Sequence, residues 1–134
     1  MTKLCLCGLQ RRYLDCCGPY LKRAKVPKTP EALMRSRYTA YCENDLDYIK
    51  RTMMPPASLK PPKRKDNRKV TWLGLEVLEG DISPSDAAVG TVEFKARYQE
   101  NGQAYTIHEK SQFHLIEGRW YYVDSLSYNL LPSS

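Results

Sequence analysis

The chain has 134 residues, of which 42% are hydrophobic, enough for one domain with a real core or one domain carrying a small appendage. No apolar run approaches the ~20 residues that span a bilayer, and nothing before Cys5 reads as a secretory signal, so no membrane role and a reducing, cytoplasmic setting are expected. The net charge of +6 is uneven: residues 1–28 carry seven Lys/Arg against Asp15, residues 60–69 carry six against Asp66, and the remainder sums to −5.

The first element is the stretch CLCGLQRRYLDCCG, which packs four of the five cysteines into residues 5–18. Four such sulfurs suit a disulfide knot, a redox centre, a metal site or a contact surface. An odd cysteine count and a reducing setting disfavour the knot. The pattern C-x-C-x8-C-C supplies two ligand pairs joined by a short loop, with Gly8 and Gly18 beside them where the backbone must turn tightly. Four thiolates are a preferred zinc donor set, and they fill the coordination shell. Hydrolytic zinc keeps a position open and is usually held by histidine or carboxylate. The spacing therefore points to one structural Zn2+ per chain held by Cys5, Cys7, Cys16 and Cys17. Arg11, Arg12, Lys22 and Arg23 offset its formal negative charge.

After this segment and its basic connector, Thr29-Pro30-Glu31 reads as a helix start. Thr29 is the N-cap, Pro30 stands at the first helical position, and Glu31 places a carboxylate in the first turn. Met34, Tyr38, Tyr41 and Cys42 recur at helical spacing. Asn44 suits a left-handed break, and Asp45 caps a second helix running through Leu46, Tyr48, Ile49 and Met53. The stretch MPPASLKPPKRKDNRK, with its four prolines, reads as an exposed loop.

The last block is strand-like: VTWLGLEVLEG, AVGTVEFKARYQENG, QAYTIHEKSQFHLIEG and RWYYVDSL. Glu100-Asn101-Gly102 and Glu117-Gly118 mark hairpin turns. Val92, Phe94, Ala96 and Tyr98 share one face of their strand, with Glu93, Lys95 and Arg97 on the other. Two helices followed by four strands give an α+β domain with the helices on one face of an antiparallel sheet.

Strand parity also sorts the polar residues. Tyr105, Ile107, Phe113 and Leu115 share a face with Glu109 and Ser111, whereas His108, Lys110, Gln112 and His114 lie on the wetter side. A carboxylate on an apolar face must be paired, raised in pKa or at a pocket mouth. Pairing of Glu109 with Arg35 or Arg37 is the structural reading. The functional one is a pocket formed by Arg35, Arg37, Tyr41, Trp72, Glu109, Ser111, Tyr122 and Asp124. Cys42 reads as a small helix-face hydrophobe. The basic segments offer anion contacts at Arg11, Arg12, Lys63, Arg64, Lys65 and Arg68. They lack the interleaved aromatics that stack on bases, so they support salt-sensitive phosphate contact without sequence readout.

The cysteine stretch resembles the SEC-C motif, the zinc-binding element named from the C-terminus of the SecA translocase. Tyr13 and Gly18 fit its loop aromatic and its Cys-Cys-Gly, and Leu6, Leu9 and Gln10 mark the departures from its usual form. With CCGPYL, TPEALMRSRYTAYCENDLDYI, VEFKARYQENG and HEKSQFHLIEGRWYYVDS, the chain is similar to the YchJ-like family nearly throughout. That resemblance implies a SEC-C zinc element at 1–28 and, at 29–134, a cone-shaped domain similar to nuclear transport factor 2. It also implies contact with a protein partner or ribosome, because the motif in SecA contacts a protein. Contact with nucleic acid through the basic patches, and an enzyme or small-ligand pocket around Glu109, are the alternatives.

Overall fold

The computed structural model describes residues 4–54 and 70–133, so the basic positions Lys63, Arg64, Lys65 and Arg68 lie outside the described residues. In chain order, a short 3-10 turn at Tyr13–Asp15 is followed by helices α1 (Gly18–Leu21), α2 (Pro30–Cys42) and α3 (Leu46–Arg51). Strands β1 (Thr71–Ile82), β2 (Val89–Glu100), β3 (Gln103–Ile116) and β4 (Arg119–Ser133) follow. No helix among the described residues is long and apolar enough to cross a membrane.

The helix starts expected from the sequence are formed by side chains. Thr29 Oγ1 accepts the Ala32 amide at 3.0 Å with Pro30 in the first turn, and Asp45 Oδ1 accepts the Tyr48 amide at 3.1 Å. Asn44 makes the turn between α2 and α3 at φ 59°. Thr29→Ala is expected to lower stability by about 1 kcal/mol, seen as a reduced denaturation midpoint at unchanged m-value.

The helix α3 stops before the expected Met53. There the chain leaves the helix to meet β4: the Tyr122 amide donates to Thr52 O and the Met54 amide to Tyr122 O, each at 2.8 Å.

The four strands form one antiparallel sheet in the order β1-β2-β3-β4. Both tight hairpins have positive φ at their two central residues, 53° and 79° at Asn101 and Gly102 and 51° and 81° at Glu117 and Gly118. This is the turn that matches the right-handed twist of paired strands. Register shifts interrupt β1 near Leu73 and Leu78 and β4 near Val123 and Leu126, and such bulges bend a sheet. Val92, Phe94, Ala96 and Tyr98 are buried, and Lys95 and Arg97 are exposed, as the alternation requires. On the outer face, His108 Nε2 lies 2.7 Å from Glu93 Oε2 on the neighbouring strand.

The core lies between the inner sheet face and the helices, with Leu33, Met34, Tyr38, Tyr48, Ile49, Val92, Phe94, Phe113 and Trp120 all buried. The start of α2 presses onto β2 at Gly90, where a Cβ would stand 2.5 Å from Pro30 Cγ. Trp120 anchors the same end, its indole N–H donating to Lys28 O at 3.2 Å. The helix α2 is buried on more than its sheet face, for Ser36, Arg37, Thr39 and Ala40 are buried as well. Tyr41, expected on the packed stripe, is 40% exposed, and Thr39 is buried against the cysteine segment.

Candidate metal centre

The two cysteine pairs are brought together by a small ladder and a short helix. The Cys5 amide donates to Arg11 O at 2.8 Å, and Leu4 pairs with Arg12, folding the loop between the pairs back on itself. Gly8 turns the chain at φ 92°. Gly18 serves by absence of a side chain, since a Cβ would meet Tyr13 O at 2.8 Å and the Tyr13 ring at 2.9 Å. The motif's tyrosine and its glycine therefore pack against one another.

All four sulfurs are buried and lie within 4.8 Å of one another, the Cys7 and Cys16 sulfurs being 3.5 Å apart. A tetrahedral zinc-thiolate centre with bonds of ~2.3 Å has sulfur–sulfur edges of about 3.8 Å. The donor set therefore fits a four-coordinate metal. All five cysteines are free.

The thiol acidities state the same need for a cation. The hydrogen bond with Cys17 holds Cys7 down to about 5, against burial. Burial, then the bond to Cys7, pushes Cys16 up to about 12, and Cys17 is raised chiefly by its bond to Cys7. Cys16 and Cys17 therefore resist deprotonation beside the Cys7 thiolate. A divalent cation removes that resistance.

The body reaches into this centre from α2. Arg35 Nη1 donates to Cys7 O at 2.6 Å, and Thr39 Oγ1 lies 3.7 Å from Cys5 Sγ. Tyr13 donates its hydroxyl to Glu43 Oε1 at 3.3 Å.

The pocket residues read from the sequence fall into three groups. Glu109, Ser111, Tyr122 and Arg37 come together. Glu109 Oε2 accepts from Ser111 Oγ at 2.6 Å and from the Tyr122 hydroxyl at 3.2 Å. Arg37 stacks on the Tyr122 ring at 4.7 Å and donates to Ile49 O and Thr52 Oγ1. Burial first, then the Glu109 carboxylate, raises the Tyr122 phenol. Trp72 and Tyr41 belong to a separate aromatic cluster with Tyr38 and Tyr98, their ring centroids 5.5–6.0 Å from Trp72. Arg35 is directed to Glu31 and to Cys7 O, at the metal centre. Asp124 is exposed, its Oδ1 accepting the Ser125 amide. Of the basic residues, Arg11 is exposed and Arg12 pairs with Asp15.

The family model for the middle, nuclear-transport-factor-2-like domain of YchJ matches residues 29–125. The chain belongs to the YchJ-like family. Two solved structures extend this likeness over about nine-tenths of the chain. The solution structure of a SEC-C motif containing protein from Rhodopseudomonas palustris is 38% identical, covers 93% of this chain and 98% of its own, and gives a TM-score of 0.81. The crystal structure of a SEC-C motif containing protein from Psychrobacter arcticus is 26% identical, covers 91% and 81%, and gives a TM-score of 0.75. In this YchJ-like chain the SEC-C-like segment is thus joined to the body through α2. Thr39 and Glu43 are the contact residues that sequence reasoning missed. Their signal was the four-residue interval linking them to Arg35.

Proposed function

We propose that this protein is a binding module built on one structural Zn2+ held by Cys5, Cys7, Cys16 and Cys17. Its metal segment is the surface that meets a protein partner. The observation that carries the reading is the closed set of four buried sulfurs within 4.8 Å, which leaves a zinc ion no open position for substrate. A thiolate-only donor set favours zinc or an iron–sulfur cluster among biological metals. Free thiols suit the reducing cytoplasm.

The segment that turns four cysteines inward turns leucines outward. Leu4, Leu6, Leu9 and Leu14 are 57%, 45%, 39% and 64% exposed. Exposed apolar side chains on a small element are a common ground of protein–protein contact. Leu6 and Leu9 are also where the stretch departs from the usual SEC-C form.

Enzymatic use of Glu109 has less support. The carboxylate is 7% exposed and already accepts from Ser111 and Tyr122. Among the described residues, open surface clefts of about 330 and 670 Å³ lie respectively beside Leu6, Cys42 and Trp72 and beside Tyr20, Lys25 and Gly118.

The test compares the zinc-loaded full chain with Leu6→Asp/Leu9→Asp as bait, with and without nuclease and across a salt series. A protein retained by the wild type, insensitive to nuclease and lost with the double variant, is the expected result. Equal retention by both baits overturns the leucine surface. Retention abolished by nuclease or by moderate salt assigns the contact to nucleic acid instead.

A further inference from the structure

Glu31, Arg35, Thr39 and Glu43 stand at four-residue intervals along α2 and its C-cap, which places them in one row down a helix face. Three of them touch the cysteine segment. Arg35 Nη1 holds Cys7 O at 2.6 Å, Thr39 Oγ1 meets Cys5 Sγ at 3.7 Å, and Glu43 Oε1 accepts from the Tyr13 hydroxyl at 3.3 Å. The fourth, Glu31, braces the row by accepting from Arg35 Nε at 2.9 Å.

Thr39 is the informative member because it is fully buried, at 0% exposure. A threonine inside a helix ordinarily turns its hydroxyl to solvent or to a carbonyl of the preceding turn. This one faces sulfur. A metal-bound cysteine is a thiolate and has no proton to give, so the Thr39 hydroxyl must be the donor when the site is loaded. Such a bond leaves the four-sulfur set intact while drawing charge from one ligand and fixing its orientation. Arg35 does the complementary task for the backbone, holding the Cys7 carbonyl while Gly8 turns the chain.

We propose that Thr39 and Arg35 are positioning residues of the metal centre, so that the body's principal helix completes the site and the SEC-C-like segment is not self-sufficient. This rests on the reading that the four cysteines hold Zn2+. Outer partners of metal ligands typically change metal affinity by ~10–100-fold when removed.

The experiment measures Zn2+ affinity of the purified full chain by competition with a chromophoric chelator. It also records the thiolate-to-metal charge-transfer band of the Co2+-loaded protein. Thr39→Val keeps the shape and loses the hydroxyl; its Zn2+ affinity is expected to fall ~10–100-fold and its Co2+ band to move. Thr39→Ser, which keeps the hydroxyl, is expected to restore both. Arg35→Gln is expected to weaken Zn2+ binding as well, and it carries the test if Thr39→Val does not fold. Wild-type affinity and an unmoved band in Thr39→Val, or unchanged affinity in Arg35→Gln where that variant carries the test, overturn the proposal. Uptake of no Zn2+ by the wild-type chain overturns the four-cysteine reading on which it stands.

Discussion

Cys7→Ser is expected to abolish zinc binding and to lower the thermal midpoint of the zinc-loaded chain by about 10 °C or more. Cys7 is fully buried, and its sulfur approaches Cys16 at 3.5 Å and is bonded by Cys17. A serine oxygen there is a poor zinc ligand, and three sulfurs remain to hold the ion. Structural zinc binds small folded modules with about 10–16 kcal/mol, and that energy is folding energy when the unfolded chain has no site. Apart from the contacts it receives from α2, the cysteine segment's packing consists of the four cysteines with Tyr13 and Leu21 against them.

Native mass spectrometry is expected to give one zinc per wild-type chain and none for Cys7→Ser. A chelator should bring the wild type down to the variant's midpoint and leave the variant where it is. The pH dependence has a definite sign. Cys16 is pushed up to about 12 and Cys17 is raised, so binding must release their protons. Zinc affinity therefore falls as pH falls. A wild-type midpoint that chelator does not move would sink the structural role of the metal.

Local chemistry was readable in the sequence because each signal sits within a few residues. Thr29 before Pro30, Asn44 before Asp45, and Asn101-Gly102 each dictate one turn, and each forms that turn. Alternation likewise settled the buried side chains of β2 and, in β3, of Glu109, Ser111 and Phe113, whereas Ala104 to His108 are all half-buried. What the sequence did not disclose is which partner a buried polar group chooses. Arg35 and Arg37 stand two apart on one helix and looked equivalent as partners for Glu109. A two-residue step on a helix turns the side chain by about 200°, so the pair diverges. Arg37 goes to Tyr122 and the end of α3, and Arg35 goes to Cys7 O. Treating residues 1–28 as a separate piece also hid Thr39, whose only sequence mark was its spacing from Arg35. Strand β4 runs beyond the expected RWYYVDSL to Ser133, its later residues pairing with β3 from Ala104 to Lys110. Pro132, which is tolerated near the end of a strand, disguised that extension.

Phe113→Ala is expected to cost about 3–5 kcal/mol, or roughly 10–15 °C in thermal midpoint. Phe113 is 0% exposed on the inner face, near the end of β3, its ring edge-on to Tyr122 at 5.9 Å and 78°. Across the ladder its partner on β2 is Gly90, which has no side chain to move into the vacated space. The backbone there is held as well, since Pro30 already presses against Gly90. The cavity therefore persists, which places the cost toward the upper end of the range. Phe113→Leu, which keeps most of the volume, is expected to cost about 1–2 kcal/mol. A cost under ~1 kcal/mol for Phe113→Ala would mean that the sheet and α2 close over the gap. The same variant separates one cooperative unit from two. If α2 joins the metal segment to the body, Phe113→Ala lowers the midpoint seen by both zinc release and β-sheet signal, and Cys7→Ser, which has no zinc to release, lowers the β-sheet midpoint. If the segment at 1–28 folds independently, Phe113→Ala leaves zinc release at the wild-type temperature while the β-sheet signal melts early.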